Sequence, residues 1–106
     1  MISRINLLKR KEGLSAEEFS AYLTQAHAGL LATMPYLKGC ETNVVVDNEQ
    51  RSPFDRGSTE IDGYTEMFFD SYGDMQQAMD EAGDALLAAL EPLVEEPVST
   101  LVAVKK

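Results

Sequence analysis

The chain offers one histidine, His27, and one cysteine, Cys40, in 106 residues. An imidazole exchanges its proton near neutral pH without help, so His27 is the natural candidate for a general acid or base. The competing reading is a half-buried packing residue. Cys40 becomes a nucleophile only where its surroundings favour the thiolate, which here would require His27 beside it; small strand cysteines are more often buried and inert. One histidine among scattered carboxylates has no ligand spacing for zinc or iron, so no metal is expected. A lone cysteine excludes an internal disulfide and a cysteine-based zinc site. The chain has no phosphate loop, dinucleotide fingerprint or nucleophile elbow.

Glu66 is a carboxylate in an otherwise apolar and aromatic run. If it points into an interior it needs a partner, and Arg4 or Asn6 near the N-terminus is the expected one. That makes Glu66 a structural ion-pair member first and a catalytic carboxylate second. Met34, Met67, Met75 and Met79 are adaptable side chains, expected as core filling, with a soft pocket as the alternative.

These residues must be positioned by regular elements. Residues 2–9 alternate, with Ile5 and Leu7 on one face and Arg4, Asn6 and Leu8 on the other, which predicts a strand. Ser15 and Glu18 form a capping box, and Leu14 can staple onto Phe19. Phe19, Tyr22, Leu23, Ala26 and Leu30 then share a helix face, predicting a helix over about 16–33 that Pro35 stops. With Phe19 at 0° on the helical wheel, Leu30 falls at about 20° and His27 at about 80°. His27 thus borders the buried stripe, where it can reach a pocket between helix and sheet. Residues 40–46 read as a second strand. Residues 47–62, with Pro53, Gly57 and seven charged side chains, read as a long surface loop of the kind that often forms a lid. Residues 63–69 read as a third strand, with Tyr64, Glu66 and Phe68 on one face. Ser71 caps a second helix, with a weak point at Gly83 and a separate short helix over 84–90 as the expected consequence. Residues 98–104 read as the last strand.

The order βαββαβ, with right-handed crossovers, builds a four-stranded antiparallel sheet with two helices on one face. The length fits one domain over residues 1–106. The other sheet face is left bare although the strands carry apolar residues on both sides. Two sheets packed face to face would close it, so a homodimer is expected.

Composition narrows the partners. The net charge is -9, with the balance +2 over residues 1–40, -7 over 41–74 and -4 over 75–106. Nucleic acid and anionic membrane are poor partners for such a chain. No apolar run approaches the roughly 20 residues of a membrane span and no signal-peptide region opens the chain, so a cytoplasmic location is expected. The absence of Trp removes several aromatic-cage and haem-handling schemes.

Three stretches carry a resemblance to a known family. Lys9-Arg10-Lys11-Glu12-Gly13-Leu14-Ser15-Ala16-Glu17-Glu18-Phe19 is similar to the "KRKPGLSPEEF" opening of the EthD-type family of dimeric α+β barrels, and Tyr22, His27 and Leu30 follow it. Met34-Pro35-Tyr36-Leu37-Lys38-Gly39 resembles that family's "LPGLRRY", and Asp62-Gly63-Tyr64-Thr65-Glu66-Met67-Phe68-Phe69-Asp70-Ser71 resembles "DGIAELWFDS". The match spans nearly the whole chain in the right order. It implies a ferredoxin-like monomer in a face-to-face dimer, and a pocket between sheet and helices with a helix histidine at its mouth, which carries over onto His27. Relatives include methylmuconolactone methylisomerases and fungal polyketide-tailoring decarboxylases or dehydratases, which work without metal or organic cofactor. The resemblance therefore implies a cofactor-independent lyase or isomerase acting on a small aromatic, polyketide-like or lactone compound. His27 would be the acid/base, and Tyr22, Tyr64 and Met67 the pocket candidates. The alternative is a non-catalytic small-molecule-binding barrel, or an accessory protein of an oxygenase pathway such as ether degradation. Two positions depart from the pattern. Cys40 stands where an aromatic residue is common. Met67 stands where isomerase relatives carry a thiol, and a thioether cannot deprotonate, which excludes isomerase chemistry through that position. Monooxygenases of the same fold lean on a Trp that is missing here, and Asn6 is a partial echo of them.

Overall fold

Ser15 starts the first helix by the reciprocal bonding its sequence predicts. Its Oγ accepts from the Glu18 amide at 3.0 Å, and Glu18 Oε1 accepts from the Ser15 amide at 3.2 Å. The computed structural model describes residues 1–46, 61–96 and 98–106. It contains β1 (Ile2–Leu8), α1 (Ala16–Thr33), β2 (Gly39–Val44), β3 (Gly63–Phe69), α2 (Tyr72–Leu90) and β4 (Ser99–Val104). Most of the expected 47–62 loop lies outside the described residues.

α1 ends where Met34 donates to the Leu30 carbonyl and takes an extended backbone ahead of Pro35. α2 starts at Ser71, whose Oγ accepts from the Asp74 amide at 3.1 Å. The expected break at Gly83 does not occur, and α2 is one continuous helix of 19 residues. A single helical glycine costs only about 1 kcal/mol. Met75 and Ala78 before it, and Leu86 and Leu90 after it, are all buried and hold both halves on the core.

The four strands form an antiparallel sheet in the order β2-β3-β1-β4. α1 lies over β2, and α2 over β1 and β3. Side chains alternate across the sheet. Leu8, Cys40, Met67 and Phe69 point to the helices and join Phe19, Leu23, Leu30, Met75, Leu86 and Leu90 in the core. Leu14 packs against this cluster.

The far face carries Ile5, Leu7, Tyr64, Glu66 and Phe68, with Lys105 Nζ 5.0 Å from the Phe68 ring centre. This placement corrects the expected Glu66 partner. Glu66 pairs in register with Ile5, whereas Arg4 pairs with Met67 and Asn6 with Thr65, so both lie on the helix side. Glu66 Oε2 instead accepts from Ser3 Oγ at 3.1 Å. All six residues of β4 are exposed, Val102 and Val104 because neither helix packs against that strand, and Leu101 because it lies on the bare far face beside Ile5. Among the described residues no helix is long and apolar enough to cross a membrane.

Candidate functional site

Two seams join helices to sheet, and the candidate residues divide between them. At the seam of α1 with β2, His27 is half-buried, and its Nδ1 lies 2.6 Å from Thr42 Oγ1. Packing here is close. Phe19 and Leu23 are buried, and a Cβ on Gly63 would stand 2.8 Å from the Asn43 carbonyl oxygen and 3.2 Å from the Phe19 ring. Only glycine fits under that ring. Cys40 belongs to the same seam. Burial, then the neighbouring Glu41 charge, push its thiol up to about 11. His27 engages Thr42 rather than this thiol, so Cys40 is not an activated nucleophile.

The seam of α2 with β1 and β4 holds a cleft of about 430 Å³. Met79, Leu86, Leu87, Leu90 and Val98 form its apolar walls, with Gly83 leaving room in the helix wall. Arg4, Asn6 and Thr100 supply polar groups, and Glu96 stands among the lining residues. Asn6 Nδ2 donates to Thr65 Oγ1 at 3.0 Å, and Asn6 Oδ1 accepts from Thr100 Oγ1 at 3.3 Å. Asn6 and Thr65 are almost fully buried, and these bonds satisfy them. Arg4 differs. Its Nε is buried with no hydrogen-bond partner, the one such side-chain atom among the described residues. Desolvation lowers its pKa, while the Tyr72 hydroxyl acts in the opposite sense. On its other side Arg4 borders a recess of about 360 Å³ with Tyr72, Gln76 and Asp80.

A third concavity is a groove of about 710 Å³ between the helices, where Ala26 and Gly29 of α1 face Ala82, Ala85 and Ala89 of α2. Small side chains on both helices leave it open.

The expected pocket residues do not converge. Tyr22 lines the interhelical groove, Tyr64 sits on the far sheet face, and Met67 is a fully buried core residue. His27 lines neither the groove nor the cleft. Arg4 and Asn6, expected as partners of Glu66, are the ones that meet at the cleft. Thr42, Thr65 and Thr100 were not singled out in the sequence. They form one row with Asn6 only through strand register, Thr42 opposite Thr65, Thr65 opposite Asn6, and Asn6 opposite Thr100. Met34, Met67 and Met75 fill the core, while Met79 alone of the four lines the cleft. Among the described residues no three His, Cys, Asp or Glu side chains gather as a metal site.

Comparison with known proteins gives the architecture its relatives. No significant match was found among curated proteins. An ethyl tert-butyl ether D (EthD) family protein from Bacillus halodurans C-125 superposes with a TM-score of 0.74 at 21% identity, covering 100% of this chain and 99% of that one. A dimeric ferredoxin-like protein of unknown function from Thermobifida fusca YX gives 0.70 at 15% identity, covering 98% and 90%. SnoaB, a cofactor-independent oxygenase from Streptomyces nogalater, gives 0.62 at 11% identity, covering 99% and 92%. These likenesses establish the ferredoxin-like fold. The EthD domain model matches residues 11–92, from the turn after β1 to the end of α2, and on that match the chain belongs to the EthD domain family.

Proposed function

We propose that the protein is a homodimer in which each copy takes up a small, largely apolar aromatic or lactone-type compound in the cleft between α2 and the β1–β4 side of the sheet. The observation that carries this reading is the cleft itself, apolar along α2 and polar at Arg4, Asn6 and Thr100. Ligand sites commonly combine apolar walls with a few placed polar groups in this way. Gly83 adds support. A Cβ there would meet only the Met79 Cβ, at 3.9 Å, so the glycine keeps open space that a side chain would fill.

Dimerisation through the far sheet face would cover Ile5, Leu7 and Tyr64, together with the exposed Leu101 of β4. The Thermobifida fusca neighbour, described as dimeric, supports this. Uptake without a metal or organic cofactor draws support from SnoaB, described as cofactor-independent.

Binding is the part the geometry supports best, because the titratable groups lining the cleft are Arg4 and Glu96. No histidine or cysteine lines it. A second reading, general acid/base catalysis by His27, is favoured by the Thr42 bond, which fixes the ring and leaves Nε2 unengaged among the described residues. On that reading His27→Ala lowers turnover roughly 10²–10⁴-fold with the dimer intact.

The test is Gly83→Leu, assayed by calorimetric titration with 2-naphthoate. A leucine in the helix raises or preserves the thermal midpoint, since helical glycine costs about 1 kcal/mol. Binding should weaken at least about tenfold as the side chain occupies the cleft. Unchanged binding by a folded Gly83→Leu protein rejects the cleft. Sedimentation at low micromolar concentration checks the dimer, and a natively folded species of 11.7 kDa would overturn it.

A further inference from the structure

The most exposed inconsistency in this molecule is a cation without an anion. Arg4 occupies the third residue-pair of β1, with Met67 opposite it on β3 and Val102 opposite it on β4. It is half-buried between Met67 and Val102, and its Nε is buried with no protein acceptor. Buried charge is normally paired, because desolvating a lone ion is far costlier than burying an apolar side chain of the same length.

The groups that could pair it do not. Glu96 shares the cleft, and Asp80 and Tyr72 share the recess on the other side. Arg4 joins no ion pair among the described residues; the Lys38–Asp70 pair at 3.6 Å stands on the surface elsewhere. The neighbouring polar row needs nothing from a ligand either, since Asn6 already bonds both Thr65 and Thr100. Arg4 is thus the polar group of the cleft whose demand is unmet.

Resting on the cleft reading above, we infer that the ligand is an organic anion, with a planar carboxylate or an ionised phenol or enol held by the Arg4 guanidinium and an apolar body lying along Met79, Leu86 and Leu90. A guanidinium presents a flat fork of N–H donors that matches a carboxylate edge, which a lysine ammonium does not. Desolvation of Arg4, visible in its lowered pKa, leaves it still charged and strengthens its attraction for an incoming anion. The overall charge of -9 opposes that approach over distance and Glu96 opposes it at the cleft, so affinity for the anion rests on direct contact with Arg4. Salt at physiological strength screens exposed charges beyond about 8 Å, whereas the Arg4 contact is made inside the seam.

The experiment compares two probes of equal shape, 2-naphthoate and 2-naphthamide, by calorimetric titration of the full-length protein. Wild type should bind the carboxylate about 10–100-fold more tightly than the amide, the usual worth of a charge-assisted bond. Arg4→Met should bring that ratio near one, with the thermal midpoint unchanged or higher because a partly buried guanidinium with no protein partner is removed. Arg4→Lys should fall between. Equal binding of both probes by wild type overturns the anion inference and leaves the cleft standing. A parallel loss of both probes in Arg4→Met with a lowered midpoint makes Arg4 a structural residue and also overturns it. If neither probe binds wild type, the cleft reading fails and the inference fails with it.

Discussion

The α1–β2 seam and the α2–β1–β4 seam are built from the same kinds of element yet are finished differently. At the first, the Phe19 ring rests on Gly63 with no room for a Cβ, and His27, a polar side chain that enters from the helix, finds Thr42. At the second, a helical glycine faces open space, a cleft of about 430 Å³ separates helix from sheet, and a guanidinium nitrogen is buried unpaired. Close packing with satisfied polar groups is what stability selects. A seam that is left open and keeps a guanidinium nitrogen unpaired is weaker as structure, and that is the physical ground for reading it as the place where something else binds.

The largest effect that separates the seams is a truncation in each. Phe19→Ala removes a ring that is 1% exposed and should cost about 3–5 kcal/mol, since the strands below it cannot collapse into the void. Leu87→Ala removes a cleft-lining side chain that is 50% exposed and should cost less than about 1 kcal/mol. Urea unfolding followed by circular dichroism measures both. Similar losses would mean that the two seams bear load equally and that the open one is ordinary core.

Much of this architecture is legible in the chain because local chemistry and tertiary packing agree. The capping box at Ser15 and the stop at Pro35 bound α1 at its observed ends, and the alternating run at 63–69 is β3 residue for residue. At Gly83 helix propensity alone predicts a break, but the buried Leu86 and Leu90 hold α2 on the sheet beyond it. The site was harder to read. Arg4 and Glu66 attract on paper, but whether two strand residues share a face depends on register, and register set Glu66 opposite Ile5. The threonine row has the same origin, since Thr42, Thr65 and Thr100 are distant in sequence and meet only after the strands pair. His27 was legible as a border residue of the helix. Its partner was not, because the neighbouring strand's offset decides whether a hydroxyl or a methyl group lies beneath it.

An intermediate effect probes the closed seam by pH. The Cys40 thiol, ordinarily near 9.0, is raised to about 11 by burial and by Glu41. Below about pH 9 both folded and unfolded states hold the proton, and the thiol adds no pH dependence. As pH rises from 9.0 towards 11, the unfolded state ionises first, so it binds fewer protons than the folded state and stability falls. The slope should be on the order of 1 kcal/mol per pH unit across that window and flatten above it. Tyrosines and lysines titrate there too, so the measurement is the difference between wild type and Cys40→Ala in urea unfolding. Parallel curves for the two proteins would show the thiol to be open to water, and the seam with it.

The smallest effect asks whether the seams speak to each other. Thr42 and Thr65 lie opposite in register, so the side chains on the helix side form a row from His27 to the cleft. The hydrogen bonds along it fall into two groups, His27 with Thr42, and Thr65 with Asn6 and Thr100. Thr42→Val keeps the shape and removes the hydroxyl. His27 is half-buried, so its nitrogen can turn to water, and the cost should sit at the low end for a lost hydrogen bond, about 0.5–1 kcal/mol. A double-mutant cycle with His27→Ala should return a coupling of the same size, because each change removes the same contact. If the seams are independent, naphthoate affinity in Thr42→Val stays within about twofold of wild type, since the nearest cleft-lining members of the row retain their own partners. A weakening beyond about fivefold would instead show that the row transmits the state of His27 to Asn6 and Thr100, and would move His27 from an anchor of α1 to a participant in what the cleft does.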